Sequence, residues 1–198
     1  MIDDGAAREQ IVAAADRLFY SRGVQAVGMD AVRSQAGVSL KRIYALFGSK
    51  DDLVIAVLHH RTQRWNAGLT AATEAVDAPV DKRLAVFDFL AGWFTEEDFR
   101  GCAFINSFGE LGALSPQVAQ TVREQKDAFG RQVADLVRAA GAPAALAPQL
   151  AILAEGAQTT AAISGSPQAA RQARDAAQTL IDAALTVHQG ASPVQAGS

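Results

Sequence analysis

The chain has 198 residues, 49% hydrophobic and 20% charged, with a formal net charge of −3. Such a composition is that of a folded globular protein and excludes a disordered charged tail or a uniformly basic nucleic-acid coat. A single cysteine, Cys102, excludes an intrachain disulfide framework, and no apolar run approaches the ~18 residues of a membrane span.

From the N-terminus, residues 1–7 read as a frayed, acidic end without the apolar core of a secretory signal. Together with the lone cysteine this leads us to expect a reducing, cytoplasmic setting. From Arg8 onward, Ile11, Ala15, Leu18 and Phe19 fall at helical spacing. Gly23 suits the residue just past a helix end. A short helix over 28–35 comes next, with Val32 inward. Ala36, Gly37 and Val38 form a tight turn, because Gly37 can adopt the positive φ that other residues avoid. Ser39 is a good N-cap for the next helix, in which Ile43 and Phe47, four apart, share the inner face. Leu40, Lys41, Arg42 and Tyr44 occupy the rest of that surface. Helix, glycine-containing turn, helix is the arrangement that enters a DNA major groove. Leu18, Phe19, Val32, Val38, Ile43 and Phe47 make only a small core, which needs support from helices later in the chain.

Ser49 followed by Asp52 resembles a capping box with Asp in place of Glu or Gln. It opens a long stripe of Leu53, Val57, Leu58, Arg61, Trp65 and Leu69 that reaches about Val76. All six prolines lie beyond residue 78, and most mark helix starts. Pro79 precedes Leu84, Phe87, Ala91 and Phe94, residues 95–100 form an acidic loop, and residues 101–113 are short, apolar and helical. Ser115 and Pro116 combine an N-cap with proline at the first helical position, opening a stripe through Val118, Val122, Phe129, Val133, Leu136 and Val137 to Gly141. Pro148 opens Leu150, Leu153 and Ala157, up to Ile163. Ser166 and Pro167 open Ala173, Ala177, Leu180, Ile181, Ala184 and Leu185, and residues 190–198 read as a disordered tail.

No stretch alternates like a strand. The expected fold is all-α, with about nine helices. A three-helix helix-turn-helix DNA-binding domain is expected over 1–49 and a helical ligand-binding and dimerisation domain over 50–189. Charge is unevenly distributed: residues 1–64 hold nine Lys or Arg against seven Asp or Glu, and residues 65–198 hold nine against fourteen. A mildly basic head on an acidic body is compatible with DNA binding by one end.

The first 60 or so residues resemble the tetracycline-repressor (TetR) family of bacterial transcription regulators. The matching string is Ile11, Val12, Ala13, Ala14, Ala15, Asp16, Arg17, Leu18 and Phe19, then Gly23, then Met29, Asp30, Ala31 and Val32. Ala36, Gly37, Val38, Ser39, Ile43, Tyr44, Phe47 and Ser49, Lys50, Asp51, Asp52, Leu53 complete it. The stretch from Arg100, Gly101, Cys102, Ala103, Phe104, Ile105 and Asn106 onward resembles one regulatory-domain subtype. The resemblance implies a homodimeric DNA-binding repressor whose helical domain takes up a small molecule and changes the spacing of the heads. Two residues depart from the family pattern. Val27-Gly28 stands where a capping Thr is frequent, and Leu46 where many members have His; each removes a polar group that could reach phosphate.

The candidate DNA-binding residues are Gly28, Ser39, Leu40, Lys41, Arg42, Tyr44 and Lys50. Lys41 and Arg42 suit base edges or phosphate, Tyr44 can donate to phosphate, and Lys50 is a cation at a helix start, where the dipole disfavours it unless an anion is near. A candidate apolar pocket gathers Trp65, Leu69, Phe87, Leu90, Trp93, Phe94, Phe104, Ile105, Phe108 and Phe129, with Asn106 as polar anchor; the alternative reading is plain core. Leu150, Leu153, Ala157, Ala173, Ala177, Leu180, Ile181 and Ala184 are the candidate dimer interface, an isologous four-helix contact. Cys102 reads as a buried thiol or a redox sensor. His59, His60 and His188 lack metal-site spacing, and there is no Gly-rich phosphate loop, G-x-S-x-G elbow or H-E-x-x-H. We therefore expect no enzyme activity, no cofactor and no metal. The expected function is a ligand-responsive repressor that binds a palindromic DNA operator as a homodimer and is released by a small apolar or aromatic effector. The alternative is a small-molecule-binding protein with weakened DNA recognition.

Overall fold

Asp3 caps the first helix, its Oδ1 accepting the Ala6 N–H at 2.9 Å, so α1 (Asp4–Arg22) begins within the stretch read as frayed. The computed structural model describes residues 3–190. Next come α2 (Met29–Ala36) and α3 (Leu40–Phe47). Gly37 between them sits at φ +64°, and Ser39 Oγ accepts the Arg42 N–H at 3.1 Å. The capping box of α4 (Lys50–Glu74) closes in both directions. Asp52 Oδ2 accepts the Ser49 N–H at 3.0 Å, and Ser49 Oγ accepts the Asp52 N–H at 3.0 Å. The order is completed by α5 (Pro79–Trp93), α6 (Ala103–Leu111), α7 (Pro116–Ala139), α8 (Leu146–Ser164) and α9 (Gln168–Gly190). That makes nine helices and no strand among the described residues. Pro148 lies within the first turn of α8 rather than at its start, where a missing N–H is tolerated. Residues 191–198 of the expected tail lie outside the described residues. Among the described residues no helix is long and apolar enough to cross a membrane.

Two compact units form, one from residues up to 67 together with 100–126, the other from 68–99 together with residues from 127 on. This division does not fall at residue 49, and packing explains why. Ile11, Val32 and Ile43 of α1–α3 share a core with Leu53, Val54, Val57 and Leu58 of α4, Phe104 and Leu111 of α6, and Val118 and Val122 of α7. Each fully buried aliphatic or aromatic side chain contributes roughly 1.5–3 kcal/mol, and α1–α3 alone supply too few to hold a head together. The first unit therefore recruits α6 and the start of α7.

The second unit is built on α9, which packs against α8 and α5. Its interior is rich in alanine: Ala154, Ala157 and Ala161 of α8 and Ala169, Ala170, Ala173 and Ala177 of α9 are buried. Small side chains let these helices approach closely, while Phe87, Leu90, Phe94 and Phe129, all buried, fill the remaining space. At Gly68 an added Cβ would lie 2.5 Å from Phe89 Cε2, so the last turns of α4 meet α5 at a distance that only glycine allows. Arg83 is buried in this unit. Burial lowers its pKa from the ordinary value, and Asp182 and Asp81 act to raise it.

Candidate nucleic-acid interface

The inner face of α3 is closed, with Ile43 at 0% and Phe47 at 4% exposure. Its outer face carries the polar residues. Lys41 is exposed, Tyr44 is 43% exposed, and Ser39 is exposed while its hydroxyl holds the helix start. Leu40 is half-buried. Arg42 forms an ion pair with Asp4 at the start of α1. Gly28 is the N-cap of α2, with no side-chain cap and open space where a Cβ would point. The missing cap hydroxyl noted in the sequence is thus a real feature of the head.

Three polar contacts fix α2 and α3 against α1. Arg8 Nη1 donates to Leu46 O at 2.8 Å while its guanidinium lies 4.3 Å over the Phe47 ring. Gln10 Nε2 donates to Ala36 O at 2.8 Å, holding the end of α2. Arg8 and Gln10 were not among the sequence-predicted site residues. Nothing in a polar residue on an amphipathic helix tells a main-chain partner 26 or 38 positions away from water.

Lys50, read from the sequence as a cation for phosphate, also has partners within the protein. Its Nζ donates to Val24 O and Val27 O, both at 2.7 Å, and lies 5.8 Å from the Phe19 ring centroid. The ammonium is turned onto the carbonyls of the α1–α2 connection. Those carbonyls supply the negative partner that its place at a helix start requires. The N–H side of the same connection is held by α6: Glu110 Oε1 accepts from Val24 N at 3.1 Å, its Oε2 from Gln25 N at 2.8 Å, and Glu110 O from Gln25 Nε2 at 2.6 Å. Residues 23–27, the entry to the helix-turn-helix, are therefore gripped on both sides.

A buried ion pair completes the support. Asp16 of α1 accepts from Arg61 Nε of α4, with side chains 8% and 13% exposed, and the Arg61 guanidinium stacks 3.7 Å over Tyr20. Sequence reasoning missed this pair, yet a signal existed. Val12, Asp16 and Phe19 share a helical face, and a carboxylate among apolar neighbours demands a partner.

The predicted pocket residues divide between the units. Trp65, Phe104, Ile105, Asn106 and Phe108 belong to the first, and Leu69, Phe87, Leu90, Trp93, Phe94 and Phe129 to the second. Phe104 is buried, whereas Ile105 and Phe108 are exposed. In the second unit Trp93 and Phe94 cluster around Phe99, at 5.2 and 4.8 Å between ring centroids. Cys102 is buried, with Lys126 Nζ 3.2 Å from its Sγ.

The predicted dimer residues differ in how far one protomer covers them. Leu150, Ala157, Ala173, Ala177 and Ile181 are buried inside one protomer, and Leu153, Leu180 and Ala184 are half-buried. The apolar stripes that sequence periodicity finds are the faces that pack α8 and α9 into their own unit. The opposite face of α8 carries Ile152 and Ile163, 72% and 83% exposed, with Gly156 and Thr159 between them at helical spacing.

Residues 11–57 match the family model described as "Bacterial regulatory proteins, tetR family". Over 131 residues the chain is 34% identical to the HTH-type transcriptional activator FasR of Mycolicibacterium smegmatis, covering 66% of this chain and 58% of that one. The matches span about half the length of the curated relatives. Among solved structures, a TetR-family transcriptional regulator from Streptomyces coelicolor superposes with a TM-score of 0.81 at 25% identity, covering 90% of this chain and 89% of that one. A tetR-transcriptional regulator from Streptomyces avermitilis gives a TM-score of 0.77 at 28% identity, covering 90% and 97%.

Proposed function

Because the chain belongs to the TetR family of bacterial transcription regulators, we propose that it binds a palindromic operator as a cytoplasmic homodimer and represses transcription until a small apolar or aromatic effector releases it. The observation that carries this reading is the outer face of α3, which presents Lys41, Arg42 and Tyr44 on a helix whose inner face is closed. Arg42 is the candidate for bidentate bonding to guanine, Lys41 and Tyr44 for base-edge or phosphate contact. Ser39 holds the start of the reading helix, and Leu40 and Gly28 bring the backbone close.

Dimerisation is assigned to the exposed face of α8 at Ile152, Gly156, Thr159 and Ile163. An apolar face rimmed by polar residues, with small residues at its centre, suits an isologous contact. For the effector, the aromatic content of the second unit favours an apolar ligand, and α4, one unbroken helix of 25 residues shared by both units, is the lever that would carry its effect to the head. Effector and operator must then weaken each other's binding by the same factor, typically ~1–3 kcal/mol. The name of FasR supports a second reading, in which the same head recruits transcription rather than blocking it.

The experiment is fluorescence anisotropy with DNA flanking the protein's own gene. Wild type should bind a palindrome far more tightly than scrambled DNA. Arg42→Ala should lose ~1–3 kcal/mol and relax the preference at one base pair per half-site. Equal binding to specific and scrambled DNA would favour a small-molecule-binding protein without operator recognition.

A further inference from the structure

The first unit contains a cavity of about 120 Å³ whose polar lining is Asp16, Tyr20, Arg61, Asn106, Ser107 and Glu110. Most of these groups already have partners. Asp16 and Arg61 form an ion pair. The Tyr20 hydroxyl donates to Gly101 O at 2.8 Å and accepts from Arg100 N at 2.9 Å. Asn106 Nδ2 donates to Arg100 O at 3.0 Å, which leaves its Oδ1 as an acceptor.

Glu110 is different. Its carboxylate accepts two backbone N–H groups, one on each oxygen, out of about four lone-pair sites. No Lys or Arg among the described residues forms an ion pair with it. Asp16 is paired with Arg61 and, at 3.9 Å, with Arg64, so Glu110 is the carboxylate of the lining without a cationic partner among the described residues, and it keeps spare acceptors. The volume sets the size of what fits. A cavity of about 150 Å³ accommodates benzene, so this one takes roughly four or five non-hydrogen atoms.

We propose that this cavity binds a small organic cation rich in N–H donors, of the amidinium or short alkylammonium class, with Glu110 as its anionic acceptor. The site lies in the DNA-binding unit and is separate from any effector site in the second unit. Glu110 also holds the Val24 and Gln25 amides at the entry to the helix-turn-helix, so occupancy is sensed where the reading helices begin. Binding itself does not depend on the operator reading and is tested without DNA.

The test is an amide NMR titration of the ¹⁵N-labelled full chain with acetamidinium chloride, compared with acetamide, which has nearly the same size and shape but no charge, at matched ionic strength. The Val24 and Gln25 amides should shift saturably with acetamidinium, and about tenfold more weakly or not at all with acetamide, as expected when a charge-assisted bond is replaced by a neutral one. Glu110→Gln should reduce acetamidinium binding to the level of acetamide, and Ala103→Leu, which fills the cavity, should abolish both. Immobile Val24 and Gln25 amides, equal response to the two probes, or a folded Glu110→Gln variant that binds as wild type would each overturn the proposal. The comparison of probes on wild type decides the matter even where a variant fails to fold.

Discussion

In the first unit, side chains reach across long stretches of sequence to main-chain atoms: Arg8 to Leu46 O, Gln10 to Ala36 O, Lys50 to Val24 O and Val27 O, Glu110 to the Val24 and Gln25 amides. In the second unit, α9 lies on α8 and α5 through alanines, and a cross-helix ion pair, Arg174 with Asp88, is on the surface. The contrast suits a DNA-binding helix-turn-helix in the first unit. Burial is non-directional, and a region held by it tolerates sliding and repacking. Hydrogen bonds are directional and fix where a helix lies along its neighbour. A helix that reads base edges needs the second kind of support, because a small displacement removes every contact at once.

The comparison breaks most severely where burial is removed. Phe87→Ala, in the core of the second unit at 1% exposure, should lower stability by about 3–5 kcal/mol, read as a shift in urea midpoint at fixed protein concentration. A loss below about 1 kcal/mol would mean that this core is loose and that burial does not hold the unit. The outer face of α8 comes next. The pair Ile152→Glu and Ile163→Glu should raise the dimer dissociation constant at least about a hundredfold, since two isoleucines worth roughly 1.5–3 kcal/mol each would be lost from the contact. Light scattering across a dilution series reads this directly, and an unchanged dimer would move the interface elsewhere.

Lys50→Ala tests the other side. Removing a charged donor from two carbonyls should destabilise the first unit by about 2–3 kcal/mol and weaken binding to all DNA sequences. The slope of log affinity against log salt should stay constant, because no phosphate contact is lost. A slope shallower by about 0.9 would instead identify one lost phosphate contact and restore the reading drawn from sequence.

That residue also marks where the sequence stopped being informative. The turn at Gly37, the Ser39 cap, the Ser49–Asp52 box and the inward Ile43 and Phe47 were legible because their signals are local: a φ requirement, a cap three residues from its partner, a period of 3.6. The periodicity of α8 and α9 was equally legible but answered a narrower question. It finds the buried face of a helix and cannot distinguish burial against the same chain from burial against a second copy. The contacts of Lys50 and Glu110 were not legible because their partners are main-chain atoms 23 to 86 residues away. Main-chain atoms carry no sequence signature.

The smallest expected effect probes the contact between Asp4 and Arg42, which must open if Arg42 is to bond guanine. Asp4 and Arg42 are paired with side chains 74% and 39% exposed, and exposed pairs contribute about 0–1 kcal/mol. Asp4 also sits in the first turn of α1, where a carboxylate adds roughly 0.3–1 kcal/mol through the helix dipole. Asp4→Asn should therefore cost little stability, below about 1 kcal/mol. Its effect on DNA binding has a sign that structural support alone does not predict. If Arg42 reads guanine, it must first leave Asp4, and Asp4 adds a negative charge beside the phosphates. Removing that charge should tighten operator binding by up to about fivefold, the equivalent of 1 kcal/mol. In an Arg42→Ala background the same substitution should lose most of that gain, since residues in direct contact couple while independent ones add. Weaker operator binding by Asp4→Asn would reverse the interpretation: Asp4 would then be holding Arg42 in its reading position, and the pair would belong with the Arg8, Gln10 and Lys50 contacts that stay closed on DNA.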